Sequence, residues 1–145
     1  MEISQILAKK TNKIISISRG NSIRMAISRL TENRIGAIIV LDEAGDLCGI
    51  LSERDIVRWA AQNEDVFNQP VSTVMTGDVV VGVPHDDIMS VAHVMTERRF
   101  RHLPVVDDDG KVIGMISIGD VMKAQRDEYR GEIDTLETQI MAGED

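Results

Sequence analysis

The chain has 145 residues, and its 16 Lys and Arg side chains against 24 Asp and Glu side chains give a net charge of −8. This length fits one domain, or two very small ones that share a core. A composition of 43% hydrophobic and 28% charged residues is typical of a globular protein and not of a disordered one. The acidic balance argues against a nucleic-acid partner, because Lys and Arg must neutralise the phosphates. A small anionic ligand needs only local positive charge.

The sequence also indicates where the protein resides. Cys48 is the only cysteine, so no intramolecular disulfide can form, and this favours a reducing compartment. The first ten residues lack the basic-then-apolar pattern of a secretory signal. No apolar run approaches the roughly 18 residues of a membrane span. We therefore predict a soluble cytoplasmic protein with no membrane partner.

The first half of the chain contains six predicted elements. Residues 3–7 have the apolar spacing of a short amphipathic helix, and residues 14–17 are β-rich. Apolar residues within 23–30 fall at i, i+3, i+4 and i+7, which predicts a second helix. Residues 38–51 read as two strands joined by a tight turn, an antiparallel hairpin. Another helix begins near Glu53.

The same order of elements returns in the second half. An offset of 65 maps residues 22–57 onto 87–122 without a gap, with 10 identities in 36 positions. The opening helix recurs at residues 71–75 with an offset of 68, so we place about three extra residues in a loop around residues 9–12. Each unit reads β-α-β-β-α, an α+β arrangement. Because a unit of about 60 residues is marginal alone, we predict two units in a pseudo-two-fold arrangement, packed through their sheets.

The last helix of the second repeat is predicted to begin near Ile118, and after Asp120 the chain remains helical in pattern to about Met141. Its apolar residues step by 4, 3 and 4, as in a coiled coil, and they are Tyr129, Ile133, Leu136 and Ile140. This stripe packs either on its own domain or on a second copy of the chain, and Gly131 weakens the case for one unbroken helix. The predicted divisions are a first repeat over 1–62, a linker over 63–70, a second repeat over 71–125 and a C-terminal helix and tail over 126–145.

The repeated pattern resembles the cystathionine β-synthase (CBS) domain family, as a tandem pair of the stand-alone bacterial type. The resemblance rests on Arg-Phe-Arg-His-Leu-Pro-Val-Val-Asp at 99–107, Gly-Met-Ile-Ser-Ile-Gly-Asp at 114–120 and Gly-Ile-Leu-Ser-Glu-Arg-Asp at 49–55. It covers about residues 3–125. It implies a non-catalytic regulatory sensor that binds an adenine nucleotide (AMP, ATP or NAD(H)) in clefts between the repeats. It also implies a homodimer and a regulated protein whose identity is unknown. The alternative is a structural dimerisation module with vestigial clefts.

Two Gly-x-x-Ser-x-x-Asp motifs lie where a strand ends and a helix begins. They comprise Gly49, Ser52 and Asp55 in the first repeat, and Gly114, Ser117 and Asp120 in the second. A helix N-terminus suits a phosphate, and an aspartate one turn on can accept two hydrogen bonds from a ribose diol. The glycines would let the backbone approach the ligand. The alternative is a capping box, in which serine and aspartate only satisfy the free N–H groups at the start of the helix.

Positive charge is expected from Arg54 in the first cleft, beside Asp55. The resemblance implies that Arg101 and His102 face the nucleotide held by the motif of their own repeat, beside Asp120. Arginine can bind phosphate through two hydrogen bonds, although solvated surface arginines are the alternative. We interpret three further arginines as ordinary surface charge: Arg58, Arg98 and Arg99.

The resemblance also implies a flat apolar slot for adenine. It is formed by Ile15 and Ile35 in one cleft and by Val80 and Phe100 in the other, although each of these residues could equally belong to the core. The asymmetry of the two repeats predicts clefts that differ in ligand or affinity. We find no metal-ligand spacing, no Ser/His/Asp set and no P-loop, so we predict no metal, no catalytic cofactor and no enzymatic activity.

Overall fold

The computed structural model describes residues 1–10 and 13–143, and the side chains through residue 140. The helices in this part of the chain are α1 (Ile3–Lys9), α2 (Ile23–Asn33), α3 (Glu53–Ala60), α4 (Val71–Val74), α5 (Ile88–Arg98) and α6 (Ile118–Gly143). The strands are β1 (Ser16–Ser18), β2 (Ala37–Leu41), β3 (Leu47–Ser52), β4 (His102–Val106) and β5 (Val112–Ser117). A short 3₁₀ helix covers Val66–Asn68. The predicted α+β class and the C-terminal helix are confirmed.

The first repeat folds around a three-stranded sheet in the order β1-β2-β3. Strand β1 runs parallel to β2, and β2 and β3 form the predicted antiparallel hairpin. Its turn is stabilised by Asp42, whose Oδ1 accepts hydrogen bonds from the N–H groups of Ala44 and Asp46. Gly45 has a φ of 81°, a left-handed conformation that glycine adopts without strain.

The second repeat forms the same hairpin from β4 and β5, but its first strand is reduced to one bridge. Gly82 pairs with Val105, and this matches the pairing of Ile17 with Val40 at the offset of 65. The predicted strand over residues 79–83 is therefore wrong in length. Pro104 has no N–H to donate to this stretch, so the parallel ladder does not extend. The β-rich stretch at 14–17 was also predicted too early, since β1 begins at Ser16.

The two repeats pack through their sheets about a pseudo-two-fold axis. Lys111 Nζ lies 3.0 Å from Asp46 Oδ1, which joins the two hairpin turns. These residues are equivalent at the offset of 65, and equivalent residues can touch only near the axis. At the other end of the strands, the His102 ring lies next to Gly36, on the side where a Cβ would be. The predicted arrangement of the repeats is confirmed.

The opening helices are exchanged between the repeats. Ile3 and Ile6 of α1 are buried in the core of the second repeat, whereas Val71 and Val74 of α4 are buried in the core of the first. Backbone hydrogen bonds hold each helix in place, as in the 3.0 Å bond from Ile3 N–H to the Asp86 carbonyl. Each core is thus completed by a segment that precedes the other repeat in sequence. The division at residues 62 and 70 stays a prediction.

The length of α1 differs from that of α4 by three residues. The extra residues predicted for a loop are partly helical, since α1 continues to Lys9. Lys10 follows in extended conformation, and residues 11 and 12 lie outside the described part of the chain. The additional turn carries Lys10 beyond the point at which α4 has ended.

Helix α6 continues through Gly131 without a break, so the expected weakness at this glycine is not observed. Its first turns pack on the second repeat, where Val121 and Ala124 are buried. Beyond Glu128 the helix leaves the repeat. The predicted apolar stripe is exposed there, and it consists of Tyr129, Ile133, Leu136 and Ile140.

Candidate ligand-binding site

A cavity of about 560 Å³ opens between the two repeats. We call it the first cleft, because Ser52 and Asp55 of the first motif lie in its wall. Residues 78–80 and 98–102 of the second repeat form the facing wall. The cleft is therefore assembled from both repeats, and neither could form it alone.

Ser52 and Asp55 form a reciprocal cap at the start of α3. The Asp55 N–H donates to Ser52 Oγ at 3.2 Å, and the Ser52 N–H donates to Asp55 Oδ2 at 2.9 Å. The capping-box interpretation is therefore correct for this motif. It does not use the whole carboxylate, because among the described residues Oδ1 has one long contact, of 3.5 Å, with Thr76 Oγ1. The cap holds Asp55 in place and leaves one oxygen able to accept hydrogen bonds from a ligand.

The wall of the first cleft is basic. Its arginines are Arg54, Arg58, Arg98, Arg99 and Arg101. Its carboxylates are Glu53, Asp55 and Asp78. Five positive against three negative charges leave an excess of two, within a chain whose net charge is −8. This local excess favours an anionic ligand.

The structure changes the interpretation of three of these arginines. From the sequence we interpret Arg58, Arg98 and Arg99 as ordinary surface charge, but all three line the cleft. The spacing of Arg58 carries a signal, since it lies four residues after Arg54 on the same face of α3. The other signal is the basic run that ends α5, where Arg99 has a left-handed φ of 59° and turns the chain back towards the cleft.

Arg101 and His102 both line the cleft of Asp55. Gly36 of the first repeat lies against this histidine, since a Cβ there would be in ordinary van der Waals contact with the His102 ring, at 3.8 Å. His102 also lies near enough to Lys10 and Asp120 for both charges to act on the pKa of its imidazole. The place of the two residues in a cleft beside Asp120 stays a prediction.

His102 contributes hydrogen-bonding capacity rather than charge. Burial lowers the pKa of its imidazole, and the neighbouring cations Arg101 and Lys10 lower that pKa further. The ring is therefore neutral at pH 7, with one nitrogen able to donate and the other able to accept. The positive charge of the cleft comes from the arginines.

An apolar surface completes the first cleft. Val80 and Phe100, predicted as an adenine slot, lie in its wall together with Ile50 and Val79. The other predicted slot consisted of Ile15 and Ile35. Both pack against the core of the first repeat, and neither lines this cleft. Val80 and Phe100 pack against the core of the second repeat in the same way, so the role of the two isoleucines in the other cleft stays a prediction.

Gly49 and Gly114 make room for the exchanged helices. A Cβ at Gly49 would collide with Met75 Sδ and lie 3.0 Å from the Thr76 carbonyl oxygen. A Cβ at Gly114 would lie 2.8 Å from Leu7 Cδ2. Neither glycine lines the first cleft, so their predicted approach to a ligand receives no support from the geometry.

The second motif makes the same cap at the start of α6. The Ser117 N–H donates to Asp120 Oδ2 at 2.8 Å, and the Asp120 N–H donates to Ser117 Oγ at 3.1 Å. Neither residue lines the first cleft. We call the surroundings of Asp120 the second cleft, and a lysine occupies part of it, as described below.

Comparison with known proteins identifies the two repeats. The model of the CBS domain family matches residues 3–62 and 71–127. The chain belongs to the CBS domain family. Each repeat is therefore one CBS domain, and the domains occur as a tandem pair. Within residues 1–10 and 13–143, no helix is both long enough and apolar enough to cross a membrane.

Several relatives have the same architecture. A CBS-domain-containing protein from Agrobacterium tumefaciens is 36% identical, with a TM-score of 0.80 over 86% of this chain and 92% of that one. The CBS domain-containing protein YhcV of Bacillus subtilis is 32% identical over 82% of this chain and 84% of its own length. The CBS domain pair of protein MJ0100, crystallised with 5′-methylthioadenosine and S-adenosyl-L-methionine, is 25% identical. Its TM-score is 0.78 over 88% of this chain and 98% of that one.

Proposed function

We propose that this CBS pair is a non-catalytic regulatory module that binds an adenosine-containing ligand in the first cleft. The observation that carries the proposal is the convergence of a fixed carboxylate, a basic wall and an apolar surface in one cavity between the repeats. Both ligands in the MJ0100 complex contain adenosine, which supports the same class of ligand for this chain.

The three surfaces correspond to the three parts of a nucleotide. Asp55 Oδ1 accepts hydrogen bonds from the ribose hydroxyls, as acidic residues do in other nucleotide sites. The adenine ring lies against Val80 and Phe100, and the phosphates lie towards Arg54 and Arg101. No residue of the cleft needs to react with the ligand, so the module reports binding rather than performing catalysis.

Charge narrows the choice of ligand. The excess of positive charge in the first cleft favours AMP, ATP or NAD(H), which carry phosphates. S-adenosyl-L-methionine has a positively charged sulfonium and 5′-methylthioadenosine has no phosphate. We therefore expect both to bind more weakly than AMP or ATP.

Calorimetric titration tests the site. Hydrogen bonds to a charged group contribute about 1.5–3 kcal/mol, so Asp55→Ala should weaken AMP and ATP binding by at least about tenfold. Asp87→Ala is the matched control, because Asp87 also caps a helix, through the Ser90 N–H, but does not line the first cleft. Unchanged affinity in a folded Asp55→Ala protein would refute the assignment.

We further propose that the module is a cytoplasmic homodimer that signals to another protein. Ligand can change the packing of the repeats only if it binds one packing more tightly than another, and a cleft built from both repeats meets that condition. The single thiol of Cys48 supports a reducing compartment. The exposed apolar stripe of α6 supports association with a second copy.

A structural dimerisation module is the second candidate function, and the same stripe favours it. The two candidates differ in their response to nucleotide. A ligand at 100 times its dissociation constant stabilises a protein by about 2.7 kcal/mol, whereas a vestigial cleft gives no thermal shift with AMP, ATP or NADH.

A further inference from the structure

The second cleft contains a cation supplied by the chain itself. Lys10 Nζ lies 2.7 Å from Asp120 Oδ2, the oxygen that also accepts the Ser117 N–H. The same ammonium donates to the carbonyl oxygen of Met115 at 2.9 Å. The lysine side chain is 37% exposed and the Asp120 side chain 26% exposed, so the pair is partly shielded from water.

The two groups that Lys10 bridges have equivalents in the first cleft. At the offset of 65, Met115 corresponds to Ile50 and Asp120 corresponds to Asp55. Both equivalents line the 560 Å³ cavity. In the first repeat these two groups are contacted by Thr76, whose N–H donates to the Ile50 carbonyl at 2.9 Å and whose Oγ1 lies 3.5 Å from Asp55 Oδ1. In the second repeat one charged ammonium bridges them.

The exchanged helix α1 delivers this lysine. The Leu7 side chain of α1 packs on Gly114 of β5. The helix then continues to Lys9, beyond the point that corresponds to the end of α4. At the offset of 68, the counterpart of Lys10 is Asp78, which lines the first cleft. The equivalent positions thus carry opposite charges.

The electrostatics of Asp120 agree with a filled site. Burial acts to raise the pKa of the Asp120 carboxyl, but the hydrogen bonds from Lys10 and Ser117 outweigh burial and hold that pKa below its ordinary value. The carboxylate is therefore already compensated. A ribose diol is a neutral donor, and it would approach a carboxylate whose charge is already balanced by a charge-assisted hydrogen bond.

We propose that Lys10 is a specificity-determining residue that closes the second cleft and confines nucleotide binding to the cleft of Asp55. This inference rests on the proposed function. It gives one ligand per chain in a protein with two sequence motifs. Lys10 acts by holding its ammonium on the capping oxygen of Asp120, beside the outer oxygen that a ribose would approach, and its removal opens a second site.

Calorimetric stoichiometry with ATP and AMP tests the proposal. The wild type should bind one ligand per chain, and Lys10→Ala should bind two. Lys9→Ala is the matched control, since it removes the adjacent positive charge, and Lys9 makes no ion pair within the described residues. It should bind one. The double variant Lys10→Ala/Asp55→Ala should again bind one, at Asp120, and further change of Asp120 to Ala should abolish binding.

The outcomes separate this proposal from the function on which it rests. Two ligands per wild-type chain, or one per folded Lys10→Ala chain, would overturn the role of Lys10 alone. No binding to the wild type with one ligand per Lys10→Ala chain would support the role of Lys10 and overturn the site at Asp55. No binding to either protein would overturn both.

Discussion

Asp55 and Asp120 occupy equivalent positions and make equivalent caps, but they have different neighbours. Asp55 faces a cavity through one oxygen, and Asp120 faces an ammonium. The motif could be predicted from the sequence because its capping geometry is local. The neighbour could not, because Lys10 lies 110 residues away from Asp120 in the chain.

The pH dependence of stability should report the Lys10–Asp120 pair. Since the pKa of Asp120 is lowered in the folded state, its stabilisation is complete above the ordinary value of about 4 and is lost as the pH falls through the lowered value. At pH 7 Lys10→Ala should lower the free energy of unfolding by about 0.5–1 kcal/mol, and the variant should therefore unfold at a lower urea concentration. This difference should narrow as the pH falls from 7 to 3. A difference that stays constant would show that the pair does not stabilise the fold.

His102 should couple ligand binding to proton uptake. Its pKa is lowered in the unliganded protein, by burial and by Arg101, and an anionic phosphate nearby should raise that pKa again. We expect AMP affinity to increase as the pH falls from 8 to 6, with proton uptake measured by calorimetry in buffers of different ionisation enthalpy. Because the phosphate also titrates near pH 6, the comparison is with His102→Gln, which should take up fewer protons. Equal uptake by both proteins would contradict the assignment.

At the scale of elements, periodicity predicted helices better than first strands. Helices α3 and α6 begin at Glu53 and Ile118, as predicted. The β-rich run at residues 79–83 was expected to be a strand, because valine favours pleated structure. Whether a strand forms also depends on N–H donors from the neighbouring strand, and Pro104 of β4 has no N–H to donate. The composition of residues 79–83 alone does not show that this donor is missing.

The apolar stripe of α6 has flanking charges that favour one orientation of a helix pair. With Tyr129 and Leu136 at d positions, Arg130 and Glu137 fall at e and Glu132 falls at g. In an antiparallel pair Arg130 faces Glu137 of a second copy, which is attractive. In a parallel pair Glu132 faces Glu137 of the second copy, which is repulsive. We therefore expect the antiparallel arrangement.

A charge reversal distinguishes the two orientations. Glu137→Arg should weaken association in an antiparallel pair and strengthen it in a parallel one, as measured by sedimentation over a range of concentrations. The double variant Arg130→Glu/Glu137→Arg should restore antiparallel association. The control is Asp134→Lys, which changes a charge at a b position, away from the stripe. Stronger association of Glu137→Arg would exclude the antiparallel pair.

At the scale of the whole molecule, the exchange of α1 and α4 joins two cores into one folding unit. The sequence showed that each repeat opens with an amphipathic helix, but it did not show which core that helix joins. The two cores are built from equivalent apolar positions, so each presents a similar surface to either helix. The choice is made by chain geometry, which periodicity does not record.

One consequence is that a substitution that destabilises α1 should also lower the stability of the first repeat. Ile3 is fully buried, and Ile3→Ala should destabilise the protein by about 2–5 kcal/mol. Trp59 packs against the first core and reports it by fluorescence. We expect the fluorescence and far-UV circular dichroism midpoints to fall together, whereas the exposed change Ile140→Ala should leave both near the wild-type value. A Trp59 midpoint unaffected by Ile3→Ala would mean that the cores unfold independently.

Because of the exchanged helices, the boundaries of the repeats in the sequence differ from the boundaries of the two cores in the fold. The first core is completed by residues 13–75, and the second by residues 1–10 together with residues after 78. The N-terminal amine of Met1 lies 3.5 Å from Glu128 Oε1. A circular permutant that omits residues 129–145, joins residue 128 to residue 1 through a short linker and has new ends at Gly77 and Asp78 would make each core continuous in sequence. Such a rearranged chain could be cut between its halves without removing a helix from either core, which the natural order does not allow.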